Sequence, residues 1–181
     1  MQQKFESQSF DNAYVLIDGV AMQREYGAQF QIPHPVLKRH LSVGHFVELR
    51  IDSPRFSMHP DAAAGCTCPS CDGQMSKPIL RHEHPATLLP LPPQDVPARG
   101  WGEDFWVQIN SRDGDLYCGR VDNPLVESRL HSIRSGDEII FRSDQILAVH
   151  SVHRRELVMS MDPRELKELA QWLATQNDPS Q

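Results

Sequence analysis

At 181 residues, with 39% apolar and 23% charged side chains, the chain has the composition of a globular domain and lies outside the low-hydropathy, high-charge class that stays disordered. Its length suits one domain with a large insertion better than two full-sized domains. A net charge of −6, from 24 acids against 18 bases, argues against a general nucleic-acid binder, because phosphate affinity is built from an excess of Lys and Arg. The first residues, MQQKFESQSF, offer no apolar h-region, and no apolar run approaches the roughly 18 residues of a membrane span. The expectation is a cytoplasmic protein with no membrane partner.

Short β-type runs come first: Tyr14-Val-Leu-Ile-Asp18, Gln29-Phe-Gln-Ile32 and His45-Phe-Val-Glu-Leu-Arg-Ile51. In the last of these, His45, Val47, Leu49 and Ile51 alternate with Phe46, Glu48 and Arg50, the period of a half-buried strand. A short helix is expected over 35–41, stopping at Gly44. Residues 51–100 then break the pattern. Most of the 14 prolines fall there, namely Pro54, Pro60, Pro69, Pro78, Pro85, Pro90, Pro92, Pro93 and Pro97, a density that forbids regular helix or central strand.

Beyond the prolines, β runs resume at Phe105–Ile109, Leu116–Val121, Asp137–Phe141 and Ile146–Val149. Asp113-Gly114 marks a hairpin, and Gly44 and Gly136 each stand just ahead of a strand. The segment from Leu41 to Leu49 has the same rhythm as that from His131 to Phe141: a small loop, a glycine, then a strand. The final element is a helix over 162–175. Asp162 is its N-cap, Pro163 its first residue and Glu165 completes a capping box; Leu166, Leu169, Ala170 and Leu173 form the stripe by which it should dock. The run His150-Ser-Val-His153-Arg-Arg155 reads as an exposed connection into it. His34, His40 and His131 read as isolated surface or satisfied core residues.

The order Phe30-Gln-Ile-Pro33, Leu41-Ser-Val-Gly44-His-Phe-Val-Glu-Leu49, Glu103-Asp-Phe-Trp106-Val-Gln-Ile109, Gly119-Arg-Val-Asp-Asn123-Pro124 and Gly136-Asp137-Glu-Ile-Ile-Phe141 with Ile146 resembles a bacterial family of small, mostly β domains, domain of unknown function 2314 and its relatives. The likeness spans about residues 28–52 and 101–150. It implies a small β fold and supplies no catalytic residue. The chain departs from that family by inserting the proline-rich stretch. Independently of the resemblance, alternation around Trp106 requires that either Trp106 or its neighbours Phe105 and Val107 face inward. An inward Trp106 would dominate a small core; an outward one could join Trp101 as a binding platform.

The insertion also holds the cysteines. Cys66-Thr-Cys68-Pro-Ser-Cys71 crowds three thiols into one loop, which in a reducing compartment suits a shared metal better than a disulfide framework. Zinc takes four tetrahedral ligands from thiolate and imidazole. Cys66, Cys68 and Cys71 supply three, and the fourth is sought first at His84, then at His82, with His59 and Cys118 as alternatives. Structural zinc contributes roughly 10–16 kcal/mol, enough to order a segment with little apolar surface. A catalytic zinc would need an open position and a base, for which Glu83 and Asp72 are the candidates. His82-Glu-His84 is not HExxH, and the order of its elements fails the deaminase signature. No phosphate loop, GxSxG or GxGxxG is present.

The sequence therefore predicts one mostly β (α+β) domain, a bent sheet or SH3-like barrel with a C-terminal helix and a metal-stabilised insertion over 53–100. The expected role is a non-enzymatic binding or adaptor module with a structural zinc and a protein partner. The alternative is a zinc-dependent hydrolase using Glu83 or Asp72. A nucleic-acid-associated barrel ranks third, because the acidic charge leaves little basic surface.

Overall fold

The computed structural model describes residues 1–11, 14–27, 30–53, 65–66, 75–76, 102–126 and 128–176. In chain order its elements are α1 (Gln2–Ser7), β1 (Val15–Leu16), α2 (Gly19–Tyr26), α3 (Pro35–Arg39), β2 (Phe46–Asp52), β3 (Gly65–Cys66), β4 (Met75–Ser76), β5 (Glu103–Asp113), β6 (Leu116–Val121), α4 (Ser128–His131), β7 (Glu138–Arg142), β8 (Ala148–Val149), α5 (Arg154–Met159) and α6 (Pro163–Gln176). Single 3-10 turns at Ser143–Gln145 and Ser151–His153 flank β8.

The alternation seen at His45–Ile51 makes β2 the organising strand. Val47, Leu49 and Ile51 are fully buried, while Phe46, Glu48 and Arg50 stay half exposed on the other face. One edge of β2 pairs antiparallel with β5 from Phe46↔Gln108 to Ile51↔Glu103. The other edge is shared: β1 takes the end at Val15↔Asp52, and β8 takes the beginning at Val47↔Val149. From β5 the chain turns through Gly114-Asp115 into β6, and β6 pairs with β7. A 3-10 turn then carries the chain back to β2, so the antiparallel order β1-β2-β5-β6-β7, with β8 returning to β2, forms a nearly closed barrel. The register of β5 against β6 slips between Ile109 and Ser111, a bulge that bends the strand.

The barrel interior is filled by Val47, Leu49, Ile51, Phe105, Val107, Ile109, Tyr117, Ile139 and Phe141. Tyr117 and Phe141 stack with ring centroids 5.5 Å apart. Phe105 and Val107 face inward, which turns Trp106 outward. The two turns noted for their similar rhythm are built alike. In Ser42–His45 and in Arg134–Asp137, the last residue donates its amide to the first carbonyl, at 3.2 and 3.1 Å. Its side chain accepts from the first amide, at 3.2 and 2.8 Å, and the glycine between has φ +93° in both.

Several expectations are corrected. Of the run expected at Gln29–Ile32, Phe30–Ile32 is not a strand: the Phe30 amide is taken by the Gly27 carbonyl, and Pro33 follows at once. The run at Tyr14–Asp18 shortens to Val15–Leu16 because Asp18 is the N-cap of α2, accepting the Ala21 amide at 2.9 Å. The helices α1, α2 and α5 had no distinct periodicity. The C-terminal helix has its expected cap: Asp162 Oδ1 accepts from Arg164 and Glu165, and Glu165 accepts from the Asp162 amide. Its docking stripe is narrower than expected. Leu169 packs on Val36 and Met161 with Trp172 alongside, while Leu166 and Leu173 remain exposed, because the surface facing α6 is the five-residue helix α3. No helix among the described residues is long and apolar enough to cross a membrane.

Candidate functional site

The insertion leaves the barrel at the end of β2 and re-enters at the start of β5, two strands paired side by side. Its stem is well anchored. Asp52 and Ser53 are buried, and Arg50 Nη1 donates to Asp104 Oδ1 and Oδ2 at 2.9 and 3.1 Å. Gly102 lies beneath that guanidinium in space where a side chain would displace it. Within the insertion, Cys66 belongs to a two-stranded ladder, Gly65↔Ser76 and Cys66↔Met75. Cys68, Cys71, His82, His84 and His59, together with Glu83 and Asp72, lie outside the described residues, as does Trp101.

Cys118 is described, on β6 of the barrel. It is a free cysteine packed with Leu116 and Ile140 beneath Met1 and Phe5 of the N-terminal helix. Burial pushes its thiol pKa up, and Glu138 adds to the effect.

On the outer face of the β2–β5 hairpin, Phe46, Glu48 and Arg50 stand beside Trp106 and Gln108. His150 meets the Trp106 ring edge-on at 5.0 Å, and His153 stacks on Phe46 at 5.7 Å. The run His150–Arg155 is thus not a plain exposed connection. It folds as a 3-10 turn leading into α5 and lays two imidazoles on the aromatic face.

His45 is buried behind this face, its ring 4.6 Å from that of His153. Glu156 Oε2 lies 3.4 Å from His45 Nε2 and 3.9 Å from His153 Nδ1, and among the described residues the Nε2 atoms of both histidines lack hydrogen-bond partners. His45, His153 and Glu156 are close enough to share an ion, and two imidazoles with a carboxylate are a zinc-competent donor set. The tautomer opposes it. His45 Nδ1 accepts the Ser42 amide, which places the ring proton on Nε2, the atom that would have to offer a lone pair. That Nε2–H faces the Glu156 carboxylate instead, and protonation of His153 is held down by burial and then by His45.

The same device recurs in histidines that read as isolated in sequence. His34 Nδ1 accepts the Val36 amide and its Nε2 lies 4.0 Å from Glu168. His40 Nε2 lies 2.8 Å from Glu165 Oε2, with Ser160 Oγ on its Nδ1 at 2.9 Å. His131, wholly buried, accepts the Ile133 amide on Nδ1 and meets Glu103 at 3.3 Å.

Two clefts flank α3, one of them bordered by the C-terminal arm. One, about 510 Å³, is apolar, with Leu37, Leu147, Val149, Leu157, Leu169 and Trp172 in its wall and Arg154 at hand. The other, about 220 Å³, contains Lys38, Asp115, Asp144 and Tyr117. Sequence reading missed both; a lysine inside the short helix α3 was the one available signal for the second. Comparison with family models, curated proteins and solved structures finds no match to this chain.

Proposed function

We propose that this protein is a non-enzymatic binding module of the cytoplasm, an SH3-like barrel that recognises a protein partner through the outer face of the β2–β5 hairpin and the zinc-stabilised insertion rising from it. The zinc ligands in this reading are Cys66, Cys68, Cys71 and His84, with His82 as the substitute for the last. The likeness to the family of small β domains concerns the barrel, and the insertion is what this chain adds.

The observation that carries the reading is the β2–β5 register. Ile51 and Glu103 are direct partners, so the barrel wall is continuous across the point where the insertion departs. That continuity leaves the insertion available for recognition. The same hairpin presents Phe46 and half-exposed Trp106 outward, and aromatic side chains dominate the energetics of protein interfaces. The ladder Cys66↔Met75 supports the metal assignment, since Cys68 and Cys71 fall between its paired residues in sequence.

Metal analysis of the purified protein tests this. One zinc per chain is expected, lost in Cys68→Ser and weakened in His84→Ala. Absence of stoichiometric metal in the wild type would overturn the ligand assignment, and turnover of any substrate that depended on Glu83 or Asp72 would overturn the non-enzymatic role. Trp106→Ala should leave the folded barrel intact and weaken partner capture by about 2 kcal/mol, the scale of an interface hot spot.

A further inference from the structure

Lys38 is 6% exposed. Its side chain leaves α3 and reaches Ser143, whose carbonyl oxygen accepts from Nζ at 2.8 Å. Among the described residues this carbonyl is the one hydrogen-bond acceptor of the group, and no carboxylate lies within ion-pair distance of it. An ammonium has three hydrogens to place, so two remain without a partner. Ser143, Asp144, Asp115 and Tyr117 line the adjoining cleft with Lys38. Burial pulls the lysine pKa down to about 8, against the opposing pull of Asp144, Asp18 and Asp115.

The neighbours define what could enter. Arg112 is committed: it donates to the carbonyls of Gly114, Arg39 and Leu41 and lies over the Tyr117 ring. Arg39 is paired with Glu168. Neither guanidinium is free to clamp an anion, and Asp18, Asp115 and Asp144 repel one. A cleft of about 220 Å³ holding a desolvated amine and an aspartate suits a small, uncharged electrophile.

We propose that Lys38 is a carbonyl-reactive lysine, and that its cleft takes a small neutral aldehyde or ketone as a reversible imine. The ammonium gives up a proton, relayed through water in the open cleft, to the Asp144 carboxylate. The freed nitrogen lone pair attacks the carbonyl carbon, forming the C–N bond as the proton on nitrogen passes to oxygen to give a carbinolamine. Asp144 then returns its proton to the departing hydroxyl, the C–O bond breaks, water leaves, and a protonated imine remains. Asp144 is suited to this exchange because burial, with Asp18 next, raises its pKa above that of an ordinary aspartate. Desolvation is a recognised route to a nucleophilic lysine. The proposal uses no residue of the insertion, so each reading stands or falls alone.

The test is reductive trapping on the full-length protein, with glycolaldehyde as the neutral carbonyl, cyanoborohydride as the reductant, and peptide mapping by mass spectrometry. Lys38 should be modified at least about tenfold faster than Lys4 or Lys167, as expected when its free-base fraction near pH 8 far exceeds that of an ordinary lysine. Lys38→Arg and Lys38→Met should remove that fast phase, while glyoxylate, an anion of similar size, should label Lys38 more slowly than glycolaldehyde. Lys38 labelled no faster than the exposed lysines overturns the proposal, a result readable on the wild type even should the variants fail to fold. Faster labelling by glyoxylate overturns the neutral class.

Discussion

Gly119 is the residue on which the packing of β6 against β5 turns. A Cβ there would lie 2.7 Å from the Gln108 carbonyl oxygen and would overlap a Val107 methyl. The carbonyl belongs to a strand paired on both sides and cannot retreat. Gly119→Ala should cost about 1–3 kcal/mol, the usual scale of overpacking, read as a lower urea midpoint with an unchanged slope. At Lys38 the cost is of charge and follows pH. Its folded pKa, about 8, lies below the ordinary lysine value of 10.5, so between those values the unfolded chain binds more protons and stability rises with pH. Cys118 and Tyr117, whose pKa values are raised by burial, act in the opposite sense at alkaline pH. The contribution of Lys38 is therefore isolated by comparing urea unfolding of the wild type with that of Lys38→Met. The wild type should gain stability relative to the variant between pH 8 and pH 10.5; parallel curves would contradict burial of the charge.

Among the elements, the C-terminal arm shows what local sequence can and cannot reveal. The cap of α6 is legible because Asp162 and Glu165 act within one turn. The two barrel turns are legible for the same reason, since a glycine at φ +93° and a side chain three residues away are near neighbours in sequence. The clasp holding the arm is not: His34, His40 and His45 stand in one short segment, and their partners Glu168, Glu165 and Glu156 come from α6 and α5, more than a hundred residues later. Nor does amphipathicity tell how much of a stripe its partner can cover, as exposed Leu166 and Leu173 show. Glu165 has its pKa lowered, first by the Asp162 amide and then by His40. A carboxylate with a depressed folded pKa adds stability above its unfolded pKa, and loses it as pH falls through the folded one. The arm should therefore loosen in acid, below the titration range of an ordinary glutamate. Trp172 lies 5.3 Å from His34 across this joint, so its fluorescence in a Trp101→Phe/Trp106→Phe background should report the loosening. Glu165→Gln should remove the acid step; if it persists unchanged there, the clasp does not control docking.

For the whole molecule the decisive relation is between barrel and insertion. Composition located the insertion, because prolines and cysteines concentrate in the same stretch of chain, and alternation located the strands on either side. Neither could show that β2 and β5 are direct neighbours, since pairing across so long a connection depends on tertiary packing. The register Ile51↔Glu103 makes residues 54–101 a detour from a hairpin whose strands already meet. Replacing them with a short glycine-containing turn should therefore leave the core from Val47 to Phe141 intact. Loop closure becomes less costly by about 2 kcal/mol when a connection of this length shrinks to a few residues, so the urea midpoint should not fall. Zinc binding should disappear, and partner capture should weaken to what the hairpin face alone supports. Cooperative unfolding together with those two changes would give the insertion a share of recognition and leave stability to the barrel. A shortened chain that cannot fold would mean that the insertion completes the core, and the division of labour proposed for this protein would have to be abandoned.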